Sequence, residues 1–138
     1  MKRLSLLFFA IVLCVSCKQE NEASVGFSSE EMMIRLSEIE IEPEYLDEYL
    51  AILQEESRAS VKLESGVISI YPMYQQEKPN EIRILEIYAD KKAYESHLET
   101  SHFKDYKETT LKMVKSLKLV DMNAIDEQTM PIIFKKIK

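Results

Sequence analysis

The 138 residues contain two histidines, His97 and His102, and these carry the chain's options for proton transfer near neutral pH. His97 stands one turn after Ala93 and three residues after Tyr94, on or near the inner face of a predicted helix. An imidazole there either rests in the core on one hydrogen bond or serves as a general base. His102 follows five residues later, at the start of the next predicted helix, as an exposed terminus residue or a substrate contact. Glu86 lies among apolar neighbours in a predicted strand, where an unpaired carboxylate is costly. It reads either as a structural partner for nearby donors or as the group that orients His97. Tyr71, Tyr74, Tyr88 and Tyr106 are apolar bodies with a polar tip, suited to the core or to the wall of a ring-binding pocket. His97, His102 and a carboxylate are a conceivable metal-ligand set, but a spacing of five does not put the two imidazoles on one helix face and no HExxH-like run is present, so no metal site is expected.

Composition removes several other chemistries. The only glycines, Gly26 and Gly66, cannot write a GxGxxG turn or a Walker loop, which excludes Rossmann-type dinucleotide binding and P-loop chemistry. Two cysteines and two histidines make no zinc-finger arrangement. A formal net charge of −6 disfavours phosphate backbones, so no nucleic acid is expected as a partner.

The first residues read as an address. Lys2 and Arg3 precede an apolar run over 4–15, which is shorter than the roughly 20 residues a spanning helix needs. Val15-Ser16-Cys17 resembles the lipobox of bacterial lipoproteins, although Cys14 stands where that pattern usually has leucine. The expectation is a signal peptide over 1–16, cleavage, and lipidation of Cys17. A polar tether over 17–30 then joins the domain to a membrane of the cell envelope, with the face left open. Cys14 leaves with the signal, so no disulfide is expected within the mature chain.

One domain is predicted over 31–128. Residues 32–42 alternate with period two, and Pro43 with Glu44 suits the start of a helix over 44–62, with Leu46, Tyr49, Leu50, Leu53 and Val61 inward. Residues 67–75 and 82–89 form a hairpin across Lys78-Pro79-Asn80. Asp90 caps a helix over 91–99, Thr100-Ser101 starts another over 102–116, and 117–123 is a last strand. The tail, 129–138, is apolar enough to dock, as an edge strand for instance. This order is the ferredoxin-like β-α-β-β-α-β plan of the α+β class. Ile82, Ile84 and Tyr88 share one face of their strand with Glu86, while Leu85, Ile87 and Ala89 share the other with Arg83. A sheet apolar on both faces needs a second cover, and a homodimer packed sheet to sheet supplies it.

Glu64-Ser-Gly66-Val67-Ile68-Ser-Ile-Tyr71 is similar to the E-x-G-hydrophobic-x-x-Y opening of the antibiotic biosynthesis monooxygenase family. Glu86-Ile-Tyr88-Ala-Asp90-Lys-Lys-Ala93-Tyr94-Glu-Ser-His97 resembles that family's E-x-Y/W-x-D-x-x-A-hydrophobic-x-x-H run, and His102-Phe103 its trailing pair. The resemblance implies a dimeric α+β barrel whose best-known members oxygenate quinols and polyphenols with O₂, without metal or flavin. On that reading His97 is the catalytic base, Tyr71, Tyr88 and His102 surround an aromatic substrate, and no cofactor is required. Two alternatives stay open: an isomerase or lyase using the same base, and a non-catalytic dimeric ligand-binding domain. The chain has no tryptophan, and the haem-degrading branch of the family uses one, matching His97 in position. Its haem-ligating histidine would fall at Lys107, so haem degradation is disfavoured.

Overall fold

The computed structural model describes residue 28 and residues 30–137. The predicted signal peptide, Cys17 and the tether up to residue 27 lie outside the described residues. Strand β1 (Met33–Ile41) leads through a single 3₁₀ turn (Pro43–Tyr45) into helix α1 (Leu46–Leu63). The hairpin β2 (Val67–Tyr74) and β3 (Glu81–Tyr88) follows, then α2 (Lys91–His97), α3 (Ser101–Thr110), β4 (Val114–Met122) and α4 (Thr129–Phe134). The four strands form one antiparallel sheet in the order β2-β3-β1-β4, the ferredoxin-like arrangement.

Period-two alternation sorts the sheet into two faces. Ser37, Ile39 and Ile41 of β1 pair beside Ile82, Ile84 and Tyr88 of β3 and are buried on the inner face. Tyr49 and Leu53 of α1 and Met113 complete that core. The inner stripe of α1 runs Tyr49, Leu53, Glu56, Ser57 and Ser60, all buried, whereas Val61 is exposed. The helix thus turns a carboxylate and two hydroxyls inward where its sequence suggested valine. Ser57 satisfies itself on the Leu53 carbonyl at 2.7 Å, and Ser60 on Glu56 at 2.7 Å.

Two elements differ from the sequence expectation. The helix predicted over 102–116 stops at Thr110, and β4 begins at Val114 instead of 117. Met113, Val114 and Leu117 fit a helical stripe as well as they fit a strand, and long-range pairing with β1 decides between them. The tail forms α4, not an edge strand: Pro131 lacks the N–H a ladder needs but sits harmlessly in a helix's first turn. Its Ile132, Ile133 and Phe134 are exposed.

Local signals place α2 closely. Asp90 caps it by accepting from the Ala93 N–H at 2.7 Å. Gly66, just before β2, lies against the same residue: a Cβ there would fall 2.5 Å from the Ala93 Cβ. Glycine therefore lets α2 sit down on the start of β2. The chain then breaks at Leu98–Thr100, and Thr100 caps α3 while its hydroxyl donates to the His97 carbonyl at 2.8 Å.

Candidate active site

A cavity of about 520 Å³ opens between the inner sheet face and the helices. Its floor includes Ser37, Ile84, Glu86 and Tyr88, with Leu117 and Leu119 of β4, and its walls include Glu56, His97, Phe103 and Tyr106. The volume suits a small organic ligand, and the lining is mostly apolar with a few converging polar groups.

His97, the last residue of α2, is 3% exposed. Its Nδ1 lies 2.9 Å from Glu64 Oε1, and a carboxylate oxygen accepts, so Nδ1 carries the proton and Nε2 the lone pair. Nε2 stands 3.8 Å from Glu56 Oε1, beyond hydrogen-bond reach, on the side that meets the cavity. Phe103 packs on the ring at 4.6 Å between centroids and Tyr88 at 5.6 Å, which holds its plane. A buried imidazole oriented on one nitrogen and free on the other is the geometry of a general base.

Glu64, the residue that ends α1, is the orienting carboxylate. The same oxygen also meets His102 Nε2 at 2.7 Å, so two imidazoles converge on one carboxylate. Their spacing of five would keep them off one face of a single helix, and the sequence placed them on two successive helices. The break at Leu98–Thr100 lets these two helices turn both rings toward one another, with centroids 6.3 Å apart. His102 is half-buried and does not line the cavity, so it touches the site only through Glu64.

Glu86 does not orient His97. Its two oxygens accept from the hydroxyls of Ser37 and Tyr88, the latter at 2.9 Å, which is the structural role among nearby donors. Burial, with Glu86 alongside, pushes the Tyr88 hydroxyl well above its usual range, so it remains a donor. Burial likewise holds Glu56 above the ordinary carboxylate range, against the opposing hydrogen bond from Ser60 and the facing imidazoles. Burial pushes the Tyr106 hydroxyl up to about 12, against the lowering effect of its 2.6 Å hydrogen bond with the Tyr49 hydroxyl. Arg35 does not reach Glu86, its cross-strand partner: it donates to Asp121 at 2.8 Å and 2.7 Å and lies over the Tyr94 ring.

Of the four aromatic and imidazole residues expected around a substrate, His97 and Tyr88 line the cavity. Tyr71 does not. It is 61% exposed, at a register position opposite Leu85, and borders the separate groove between α1 and β2. Glu56 and Ser37 were missed. Glu56 had a readable signal, since it falls seven residues after Tyr49 and three after Leu53 on the apolar stripe, where a lone carboxylate is unusual.

The sheet order, the helix pair on one face and the walled cavity define the class. The family model for antibiotic biosynthesis monooxygenase matches residues 32–109, and the chain belongs to that family. A proposed antibiotic biosynthesis monooxygenase from Bacteroides thetaiotaomicron is 50% identical, with a TM-score of 0.71, over 72% of this chain and 94% of that one. A proposed monooxygenase from Lactobacillus acidophilus is 28% identical, with a TM-score of 0.65, over 66% of this chain but only 43% of that longer one. A protein from Nitrosomonas europaea shares the fold at 16% identity and a TM-score of 0.65. No curated protein matches the sequence. Together these support a general monooxygenase-like function with the substrate unspecified.

Proposed function

We propose that the protein is a cofactor-independent monooxygenase that oxidises a quinol-like or polyphenolic small molecule with O₂. The observation that carries this reading is His97, buried at the cavity wall with Nδ1 held by Glu64 and Nε2 free. Nε2 takes a phenolic proton, and the resulting quinolate is electron-rich enough to transfer an electron to O₂. Recombination forms a carbon–oxygen bond as a hydroperoxide, and loss of water leaves a hydroxylated quinone. One quinol and one O₂ thus give one hydroxyquinone and one H₂O. Tyr88 and Phe103 shape the ring site, and the apolar lining keeps bulk water from the anion.

The test is consumption of menadiol or a similar quinol with and without O₂, with the product identified by mass. Oxygen-dependent gain of one oxygen atom supports the reading. Turnover of a different substrate without O₂ would point to an isomerase or lyase, and bound ligand recovered unchanged would point to a binding domain.

Two further expectations belong to the same proposal. The outer sheet face carries Ile34, Leu36, Leu85, Ile87 and Val120, and a homodimer through this face accounts for it. Leu85→Glu should then yield monomer or insoluble protein in sedimentation, and a monomeric wild type would end the idea. Lipidation of Cys17 would anchor the domain to a membrane of the cell envelope. Cys17→Ser should move the protein to the soluble fraction, and membrane association of the unprocessed mutant would count against the anchor.

A further inference from the structure

Glu56, His97 and His102 come from three different helices, yet each offers one ligand atom and the three atoms lie within 4.8 Å of one another. Glu56 and His97 are 6% and 3% exposed, and His102 is half-buried. Two imidazole nitrogens and a carboxylate oxygen are the donor set of zinc and related first-row ions. Bonds of about 2.0–2.2 Å require donor atoms roughly 3.3–3.5 Å apart, so rotation of side chains by about 1 Å closes the triangle. Glu64 supplies what surrounds such a site: a carboxylate on Nδ1, the far nitrogen of His97, fixing its tautomer.

Charge points the same way. Glu56 and Glu64 bring two carboxylates into a poorly solvated pocket whose other polar members are two imidazoles and the Ser60 hydroxyl. His97 Nε2 has no hydrogen-bond partner among the described residues. A divalent cation between Nε2, Glu56 and His102 uses that lone pair and offsets both negative charges. Three protein ligands leave a fourth position toward the cavity.

We propose that Glu56, His97 and His102 form a binding site for a divalent first-row transition metal of the zinc type. The site shares His97 with the base, so the metal-bound chain has no free Nε2 and is the resting or inhibited form of the enzyme proposed above.

The test uses the full-length chain, stripped with chelator and titrated with Zn²⁺ by calorimetry and with Co²⁺ by visible spectroscopy. The expected result is one ion per chain and the intense d–d bands of a low-coordinate cobalt site, without the sulfur charge-transfer absorption that Cys14 or Cys17 would produce. Glu56→Gln and His102→Ala should each weaken binding at least tenfold, while Glu86→Gln, across the cavity, should leave it unchanged. Should His102→Ala fail to fold, His102→Gln retains a donor for Glu64 and reads the same ligand. No heat or bands with metal well above the protein concentration, a sulfur-bound spectrum, or equal affinity in the wild type and both variants overturns the proposal. None of these measurements contains substrate, so failure of the metal site and failure of the oxygenase reading are separate results.

Discussion

Two hollows flank α1, and the larger one lacks the chemistry. The groove between α1 and β2 measures about 820 Å³ and is walled by Leu50, Val61, Ile70, Tyr71, Met73 and Tyr74, with Arg58 and Lys62 beside it. Its charged groups are cations, and neither histidine lines it. The cavity on the other side is smaller, about 520 Å³, but takes in His97, Glu56 and Glu86. The difference arises from helix order. Only the cavity meets the end of α2, where the chain breaks and turns a buried imidazole toward the sheet. Size marks where a molecule can rest, and converging titratable groups mark where it can react.

The comparison breaks most sharply at His97. His97→Ala should lower kcat for the quinol by 10²–10⁴, about 3–5 kcal/mol of transition-state stabilisation, with the fold intact. His97→Gln keeps size and polarity but accepts no proton, so it should be nearly as inactive. Full activity per folded molecule in the Gln variant, judged beside its melting curve, would remove His97 from the mechanism. Glu64→Gln should follow with a loss of about 10²-fold in kcat, because an amide no longer fixes which nitrogen of His97 bears the proton. Unchanged kcat in that variant would reduce Glu64 to a structural contact.

Gly66→Ala tests how the cavity is built. The added methyl collides with Ala93, so α2 must shift, at a cost of about 1–3 kcal/mol in stability measured by denaturant titration. The smallest effect belongs to the larger groove. Arg58→Ala, on an exposed position there, should change stability by no more than about 0.5 kcal/mol and leave turnover as it is. A large loss of turnover would move the reaction to the wrong side of α1.

The strand and helix order was legible because alternation, caps and turn residues are local. Asp90 before Lys91, Thr100 before Ser101 and the Lys78-Pro79-Asn80 turn each act over three or four residues. His97 was legible as an inward residue for the same reason. The end of α3 was not, since Met113 to Leu117 satisfy both periods and only pairing with β1 separates them.

The site divides along the same line. Residue types, the family motif and the inward side of α2 were determined by the sequence, because each depends on neighbours within a turn or two. The partner of His97 was decided only in three dimensions. Glu64 and Glu86 are both acidic members of the motif, thirty-three and eleven residues before His97, and nothing local distinguishes them. The close approach of Gly66 to Ala93 seats α2 beside the end of α1, which brings Glu64 to Nδ1 and leaves Glu86 to Ser37 and Tyr88. Hydrogen bonds of 3 Å are set by how helices pack, and packing is a property of the folded chain as a whole.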